Sequence, residues 1–309
     1  MITLEHNFLR GSYTPVITPF RNGKVDFDKY AELVDRQALE GSHGVVVTGT
    51  TAEPSSLTAD ERTDLVKVAV NTIAKRFPVV AATGSQSFAE TVEITTRAEK
   101  AGADALLVVT PYYIKPPQAG LIEYFVEIGK RTELPLMIYH IPGRAAVSIT
   151  SATVAKIAER LPNLVGIKHA ANDLEFVTET LVRLGPDFRI FCGLEALSVP
   201  MLVIGAAGLM NAVGNLLPGP VAAMCNAVER GDLAEARRLH FKLFELNQSI
   251  FLETNPIPLK YMMVRMGLLE TSEVRLPLVA MDSDRGKILD GVLRRAGLLE
   301  PLSKEHQGL

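Results

Sequence analysis

The sequence predicts an α/β protein, a (β/α)8 barrel followed by a helical C-terminal region. Short, continuously apolar runs recur along the chain, and each is followed by a longer segment with helical spacing. Eight such units fit within roughly the first 230 residues, the usual size of such a barrel. A doubly wound open sheet would produce a similar alternation, although the pattern favours the barrel. With 309 residues, 47% of them hydrophobic, the chain can bury a large core.

The predicted strands are apolar throughout, which is typical of parallel strands buried on both faces. They comprise residues 13–17, 45–48, 79–83, 105–109, 136–139, 165–168, 189–192 and 209–212. The helices between them carry start and stop signals. Thr58 with Glu61 and Ser87 with Glu90 are predicted capping boxes, and Gly102 follows a helix end where a left-handed residue is common. The same strand-helix unit is therefore expected to repeat.

After Gly231 the strand signals stop, and three helices are predicted at residues 232–254, 257–266 and 283–295. We find no internal repeat, low-complexity tract or linker that would separate this part from the barrel. The chain is therefore divided into a barrel at residues 1–231 and a helical region at residues 232–309 that packs on the barrel.

Charge and cysteine content exclude several classes of protein. The net charge is −3 and the basic residues are dispersed, so we expect no nucleic-acid partner. Cys192 and Cys225 lack metal-binding spacing and are expected to be buried thiols in a reducing compartment.

One segment is long enough to span a membrane, because no charged residue occurs between Glu195 and Glu229. Prolines and glycines interrupt it, which predicts shorter buried elements and no membrane span. The first residues contain no basic stretch followed by an apolar one, so we expect no secretory signal and a cytoplasmic protein.

Lys168 is the most informative candidate, since it ends the sixth predicted strand and active sites of these barrels lie at the carboxyl ends of the strands. Burial there would favour a neutral amine, the form that attacks a ketone to make a Schiff base. A lysine paired with a nearby carboxylate is an equal alternative on position alone.

Other strand ends add reactive groups to the same face. The fifth ends at Tyr139 and is followed by Arg144, the second ends in a hydroxyl-rich turn at residues 48–54 suited to an anion, and the fourth is followed by Tyr112 and Tyr113. Singly, each could be a core residue, a surface residue, a tight turn or interface packing. Together they indicate an active site. Metal-ligand spacing and nucleotide fingerprints are absent from the sequence, so we expect neither a metal nor a cofactor.

These motifs, in this order, resemble the dihydrodipicolinate synthase and N-acetylneuraminate lyase family of class I pyruvate aldolases. The resemblance covers nearly the whole chain, and its motifs are residues 49–51 with Glu53, residues 110–113, Tyr139 with Pro142, residues 166–168 and residues 255–258. It implies a barrel with a helical region, assembled as a homotetramer that is a dimer of dimers.

The resemblance also implies catalytic roles. Lys168 would form an imine with pyruvate, and Tyr139 would carry protons to and from it. Thr51 would link Tyr139 to Tyr113, with Tyr113 supplied by the neighbouring subunit. The protonated imine is an electron sink, so loss of a proton or carbon substituent at the next carbon gives an enamine.

Substrate-binding roles follow from the same resemblance. Thr50 and Thr51 would hold the pyruvate carboxylate, while Gly193 and Met210 would line the pocket. Arg144 would bind a carboxylate on the second substrate, a small aldehyde.

The chain departs from the family's synthase branch at Ala52, Pro54, His140 and His169. The two histidines could transfer protons or recognise a different acceptor, since imidazole titrates near neutral pH. Alternatively, both are packed, hydrogen-bonded residues that point away from the pocket.

The aldehyde is not determined by these residues. A synthase would use aspartate semialdehyde. A catabolic 2-keto acid aldolase, such as one acting on 2,4-dihydroxyhept-2-ene-1,7-dioate, would use succinic semialdehyde. A barrel that binds a keto acid without turning it over is a third hypothesis, but the joint presence of Lys168, Tyr139, Thr51 and Tyr113 favours an enzyme.

Overall fold

The computed structural model describes residues 2–300, so the end of the helical region expected at residues 232–309 lies outside the described residues. The strands are β1 (Gly11–Pro15), β2 (Phe20–Arg21), β3 (Lys24–Val25), β4 (Gly44–Val47), β5 (Val79–Ala82), β6 (Ala105–Val109), β7 (Leu136–His140), β8 (Leu164–His169), β9 (Arg189–Cys192) and β10 (Gly208–Leu209). All except β2 and β3 form one parallel sheet, and β10 pairs with β1 to close it into a barrel. The predicted barrel is confirmed, and the open sheet is excluded.

The helices of the described residues surround this barrel or follow it. They are α1 (Phe27–Leu39), α2 (Ala59–Ile73), α3 (Phe88–Lys100), α4 (Gln118–Gly129), α5 (Pro142–Ala145), α6 (Ser151–Arg160), α7 (Leu174–Leu184), α8 (Ser198–Ile204), α9 (Pro218–Glu229), α10 (Leu233–Ser249), α11 (Ile257–Arg265) and α12 (Ser283–Arg295). Short 3₁₀ turns at Thr50–Ala52, Pro54–Ser56, Glu195–Leu197 and Ala212–Asn215 lie at the carboxyl end of the barrel, where side chains can be presented without regular strand geometry.

Strand boundaries differ from the prediction mainly at the two ends of the barrel sequence. β6 and β9 match, whereas β1 begins at Gly11 and β10 ends at Leu209. Gly11 has a φ of 89°, and a Cβ there would lie 2.5 Å from the His43 ring. The predicted strand at residues 209–212 is shorter because the chain turns into a 3₁₀ helix at Ala212. The antiparallel β2–β3 hairpin was not predicted, since two-residue strands carry no periodicity.

Of the two predicted capping boxes, the one at Thr58 and Glu61 is confirmed, and the one at Ser87 and Glu90 is only partly correct. Glu61 N–H donates to Thr58 Oγ1 at 3.1 Å, and Thr58 N–H donates to the Glu61 carboxylate at 2.9 Å. Ser87 likewise accepts from Glu90 N–H, but the Glu90 carboxylate accepts from Ser85 Oγ. The second box is therefore only half formed, because the Ser85 hydroxyl bonds to the Glu90 carboxylate and also accepts from Ser87 N–H.

The segment without charged residues folds into short buried elements, as predicted: α8, β10, a 3₁₀ turn and α9. Within residues 2–300, no helix is both long enough and apolar enough to cross a bilayer.

The three predicted C-terminal helices are present as α10, α11 and α12, with α10 ending at Ser249. α10 packs on α9, and α11 contacts the 3₁₀ turn at Ala212–Asn215. These contacts join the helical region to the barrel's carboxyl end. The division at residue 231 stays a prediction.

A buried ion pair ties the helical region to the loop after β4. Lys260 Nζ of α11 lies 2.5 Å from a carboxylate oxygen of Glu53, and these side chains are 1% and 2% exposed. Lys260 also donates to the Glu273 carbonyl at 2.8 Å, and its Nζ lies 4.3 Å from the ring centroid of Phe20. Burial lowers the pKa of Lys260, while Glu53 opposes that change. The buried charges of Lys260 and Glu53 therefore stabilise each other.

Lys260→Met should reduce the free energy of unfolding by about 3–5 kcal/mol, because removing one partner leaves the Glu53 carboxylate buried and unpaired. Urea unfolding followed by circular dichroism measures this. Lys287→Met is the matched control, since Lys287 pairs with Asp284 on the surface and should change stability little. Equal effects of the two substitutions would contradict the dependence of Glu53 on Lys260.

Candidate active site

Lys168 and Tyr139 face each other inside the barrel at the carboxyl ends of β8 and β7. The strands pair in register with Tyr139 opposite Lys168. The Lys168 Nζ atom lies 4.4 Å from the Tyr139 ring centroid, and both side chains are buried. The electron-rich ring face stabilises a cation next to it. The amine of Lys168 and the phenol of Tyr139 thus lie side by side at the barrel mouth.

The interior beneath this pair is apolar. It contains Val46, Leu107, Met137 and Phe191 in one buried cluster. Among residues 2–300, no carboxylate oxygen lies within 4.0 Å of the Lys168 amine, so the alternative of a directly paired structural lysine has no support.

The turn after β4 brings two threonine hydroxyls to the mouth. Thr50 Oγ1 lies 3.4 Å from the Tyr139 hydroxyl. Thr51 Oγ1 instead accepts a hydrogen bond of 3.0 Å from Asn255 Nδ2. Within the single chain, therefore, the threonine next to Tyr139 is Thr50, and the expected link from Thr51 to Tyr139 is not formed.

Asn255 joins two predicted site residues, although the sequence assigned it no role. Its side chain donates to Thr51, and its carbonyl oxygen lies 3.4 Å from the Arg144 guanidinium. Arg144 is exposed on the short helix α5, which follows β7 directly. The motif at residues 255–258 was the only sign of this contact in the sequence.

Gly193 lies next to Lys168, and Met210 lies in the apolar interior of the barrel. A Cβ atom on Gly193 would lie 2.7 Å from Lys168 Cε, so only glycine leaves room for the lysine chain. Met210 is buried in the interior cluster with Tyr139. Tyr113 is different: its side chain is 83% exposed, and its φ is 73°. The structure places Tyr113 on the surface of the chain.

Glu195 is a second residue that sequence reasoning missed. It follows β9, is 2% exposed, and accepts a hydrogen bond of 2.7 Å from Ala212 N–H on one carboxylate oxygen. Its other oxygen is buried and has no hydrogen-bond partner among residues 2–300. Burial raises the pKa of Glu195 to about 7, while the hydrogen bonds from backbone N–H groups and the charge of Lys168 oppose the rise. This carboxyl group therefore changes its charge near neutral pH, close to Lys168.

His140 and His169 point away from the barrel interior, because side chains alternate along a strand and Tyr139 and Lys168 point inward. Both rings are buried, and their Nδ1 atoms lie 3.1 Å apart. Burial lowers the pKa of each, that of His140 to about 4 with a further contribution from His169. Of the two interpretations of these residues, packing away from the pocket agrees with the structure.

The cysteines are free and buried, as expected. Burial raises the pKa of the Cys192 thiol to about 12 and raises that of Cys225. Both thiols are thus held in their unreactive form. In the described part of the chain, no three histidine, cysteine or acidic side chains converge as a metal site would require.

A closed (β/α)8 barrel with an amine, a phenol and hydroxyl groups at the carboxyl ends of its strands has the architecture of a barrel enzyme. A sequence profile of the dihydrodipicolinate synthetase family matches residues 8–296. The chain belongs to this family, and the protein is a lyase.

Individual relatives agree with this assignment. The chain is 45% identical to a 4-hydroxy-tetrahydrodipicolinate synthase of Thermus thermophilus, over 96% of this chain and 99% of the relative. It is 42% identical to a protein of that name from Thermodesulfovibrio yellowstonii, over 94% and 99%. The crystal structure of dihydrodipicolinate synthase from Aquifex aeolicus matches with a TM-score of 0.92 at 36% identity, over 94% of this chain and 100% of the other. That from Thermotoga maritima matches with a TM-score of 0.92 at 37% identity, over 95% and 100%.

Glu195→Gln should change how stability depends on pH. The raised pKa means that the folded wild type holds a proton that the unfolded chain releases, so wild-type stability falls as pH rises from about 4.5 to about 7. Glutamine cannot ionise. Between about pH 5 and pH 8, the free energy of unfolding of the variant should improve relative to wild type by roughly 2 kcal/mol. Urea titrations at both pH values test this, and a difference independent of pH would disprove it.

Proposed function

We propose that this protein is a 4-hydroxy-tetrahydrodipicolinate synthase that joins pyruvate to aspartate semialdehyde through an imine on Lys168. The observation that carries the proposal is the buried Lys168 amine against the Tyr139 ring, in a chain 45% identical to a synthase over almost its whole length. The Lys168 amine attacks the pyruvate ketone, and loss of water gives the protonated imine. Release of a proton from the adjacent methyl carbon gives an enamine, whose carbon attacks the aldehyde.

Tyr139 is the proposed proton carrier. Its hydroxyl is in reach of Thr50 Oγ1 at 3.4 Å, which offers a partner when the phenol gives up or takes a proton. Thr50 and Thr51, in the 3₁₀ turn after β4, would hold the pyruvate carboxylate through hydroxyl and backbone N–H groups. Gly193 and Met210 would line the space occupied by the bound pyruvate.

Arg144 is the proposed ligand of the aldehyde's carboxylate. A guanidinium can donate two parallel hydrogen bonds to a carboxylate. Its contact with the Asn255 carbonyl limits its position, and Asn255 in turn holds Thr51. This chain of contacts would couple the aldehyde site to the pyruvate site. The relatives carry the name of the synthase, which favours aspartate semialdehyde over succinic semialdehyde.

The proposed assembly is a homotetramer built as a dimer of dimers, with Tyr113 crossing into the site of a neighbouring subunit. The exposed Tyr113 and its exposed neighbour Ile114 support an interface at this position, since large apolar side chains are seldom left in water side by side. Thr51, which is not linked to Tyr139 within one chain, would then be free to meet Tyr113 of the partner. We also propose a cytoplasmic location and a reaction without metal or cofactor.

Pyruvate with borohydride should add one reduced pyruvate to Lys168, because hydride reduces the imine to a stable amine. Intact mass followed by peptide mapping measures the adduct. Lys168→Ala should form none and lose at least about 1,000-fold in kcat with its fold intact. Lys156→Ala, on the exposed face of α6, is the matched control and should behave as wild type.

Competition then identifies the aldehyde. Aspartate semialdehyde should consume the enamine and reduce trapping, whereas succinic semialdehyde should not. If no adduct forms on the wild type, the proposed function is wrong. If succinic semialdehyde alone competes, the imine chemistry stands and the named synthase does not.

Tyr139→Phe should lower kcat by about 100-fold or more while changing the KM for pyruvate much less, because it removes a proton carrier and keeps the ring beside Lys168. Steady-state kinetics measure both constants. A raised KM with kcat unchanged would instead assign Tyr139 a role in binding.

A further inference from the structure

The buried histidines occupy the strand positions directly after the proposed catalytic pair. On β7 and β8, Tyr139 lies opposite Lys168, and His140 lies opposite His169. The first pair faces into the barrel and the second faces the helices. The same two strand ends thus present a reactive pair on one side and a histidine pair on the other.

The hydrogen bonds around the pair define one arrangement of protons. Ile149 N–H can only donate, so His140 Nε2 accepts its 3.4 Å contact and His140 carries its proton on Nδ1. That N–H donates to His169 Nδ1 at 3.1 Å. His169 then carries its proton on Nε2, which donates to the Asp173 carbonyl at 3.1 Å. Every ring nitrogen is satisfied only while both histidines are neutral.

A proton added to either ring breaks this chain. On His140, it would set a second N–H against Ile149 N–H. On His169, it would set an N–H against the one on His140. The Asp173 carboxylate, directly before α7, is a charged group whose field acts on both rings, and it already accepts from Phe176 N–H.

Packing holds the rings in place. His169 stacks on Phe176 of α7 with ring centroids 4.5 Å apart and an interplanar angle of 8°, and His140 lies 5.3 Å from the same ring. The backbone ladder between the strands ends here, with Ala170 N–H donating to the His140 carbonyl at 2.9 Å. The Nδ1–Nδ1 bond is the side-chain link at the last rung before the loops begin.

We propose that His140 and His169 are positioning residues for the reaction: their hydrogen bond fixes the ends of β7 and β8, and thereby the placement of Tyr139 against Lys168. This inference rests on the proposed function. Misplacement of reacting groups by a fraction of an ångström lowers the rate even when the fold is intact. The pair acts through Tyr139 and Lys168 and does not touch substrate.

Amide side chains can test the link separately from the other contacts. At either position, asparagine places its amide near the Nδ1 position and glutamine near the Nε2 position. His140→Asn can still donate to His169 but loses the hydrogen bond from Ile149 N–H. His140→Gln can still accept from Ile149 N–H but loses the hydrogen bond to His169. His169→Asn can still accept from His140 but loses the hydrogen bond to the Asp173 carbonyl. His169→Gln keeps the hydrogen bond to the Asp173 carbonyl and loses the one from His140. Each asparagine variant is thus the matched control for the glutamine variant.

Both glutamine variants should lose about tenfold in kcat and in the rate of borohydride trapping by pyruvate, with little change in KM, while both asparagine variants stay within about twofold of wild type. Circular dichroism and thermal melting of each variant check that the active fraction is the same. Equal kcat for the glutamine and asparagine variants would overturn the inference, as would a loss explained by unfolding.

A pH profile supplies a readout that a merely structural role would not move. Wild-type kcat should fall as pH decreases toward the pKa of His140, about 4. The double variant His140→Asn/His169→Asn retains an amide link that does not titrate, so its decline should begin at lower pH. An unchanged acid limb would overturn the inference. Failure of the wild type to form any Lys168 adduct would instead overturn the proposed function, and this inference with it.

Discussion

The register of β7 with β8 from Met137 onward, after an irregularity between Leu136 and Met137, is the constraint on which the site depends. Because side chains alternate along each strand, setting Tyr139 opposite Lys168 directs both into the barrel and directs His140 and His169 outward. A shift of the register by one residue would exchange the two pairs between faces. Closure of the sheet by β10 and β1 holds this register, since a barrel has no free edge along which strands can slip. Barrel closure therefore determines which face each pair occupies, and the proposed role of the His140–His169 bond is to hold the two strand ends within that arrangement.

The buried ionisable groups in and around the barrel differ in how their charges are compensated. The ions of Glu53 and Lys260 are buried as a pair, and so bind the helical region to the loop that carries Thr50 and Thr51. Glu195 is buried with one oxygen unsatisfied, and its raised pKa leaves it partly protonated near neutral pH. Lys168 has the ring of Tyr139 beside its amine and, among residues 2–300, no carboxylate oxygen within 4.0 Å.

The element types were predictable because their signals are local. Apolar runs identified all eight barrel strands, and β6 and β9 were predicted to the residue. Predictions were wrong where another contact or turn competes with the expected local pattern. Glu90 bonds to Ser85 in place of the expected cap, and the chain turns at Ala212 where a strand was expected. Asn255 is distant from Thr51 in sequence, so no spacing rule could connect them. Glu195 looked like an ordinary charged residue, because burial cannot be seen in a single position.

By itself, the sequence determined the alternation of strands and helices, the apolar barrel interior, and the presence of Lys168, Tyr139, Thr50, Thr51 and Arg144 at strand ends. These are properties of residue order, since each strand end lies on the same face once the sheet is parallel. Only the tertiary structure decided that the Tyr139 hydroxyl meets the hydroxyl of Thr50 while that of Thr51 meets Asn255, that the two histidines share a proton arrangement outside the barrel, and that Tyr113 is exposed. The physical reason is that hydrogen bonds and burial depend on distances between elements far apart in sequence. Those distances exist only after the barrel has closed.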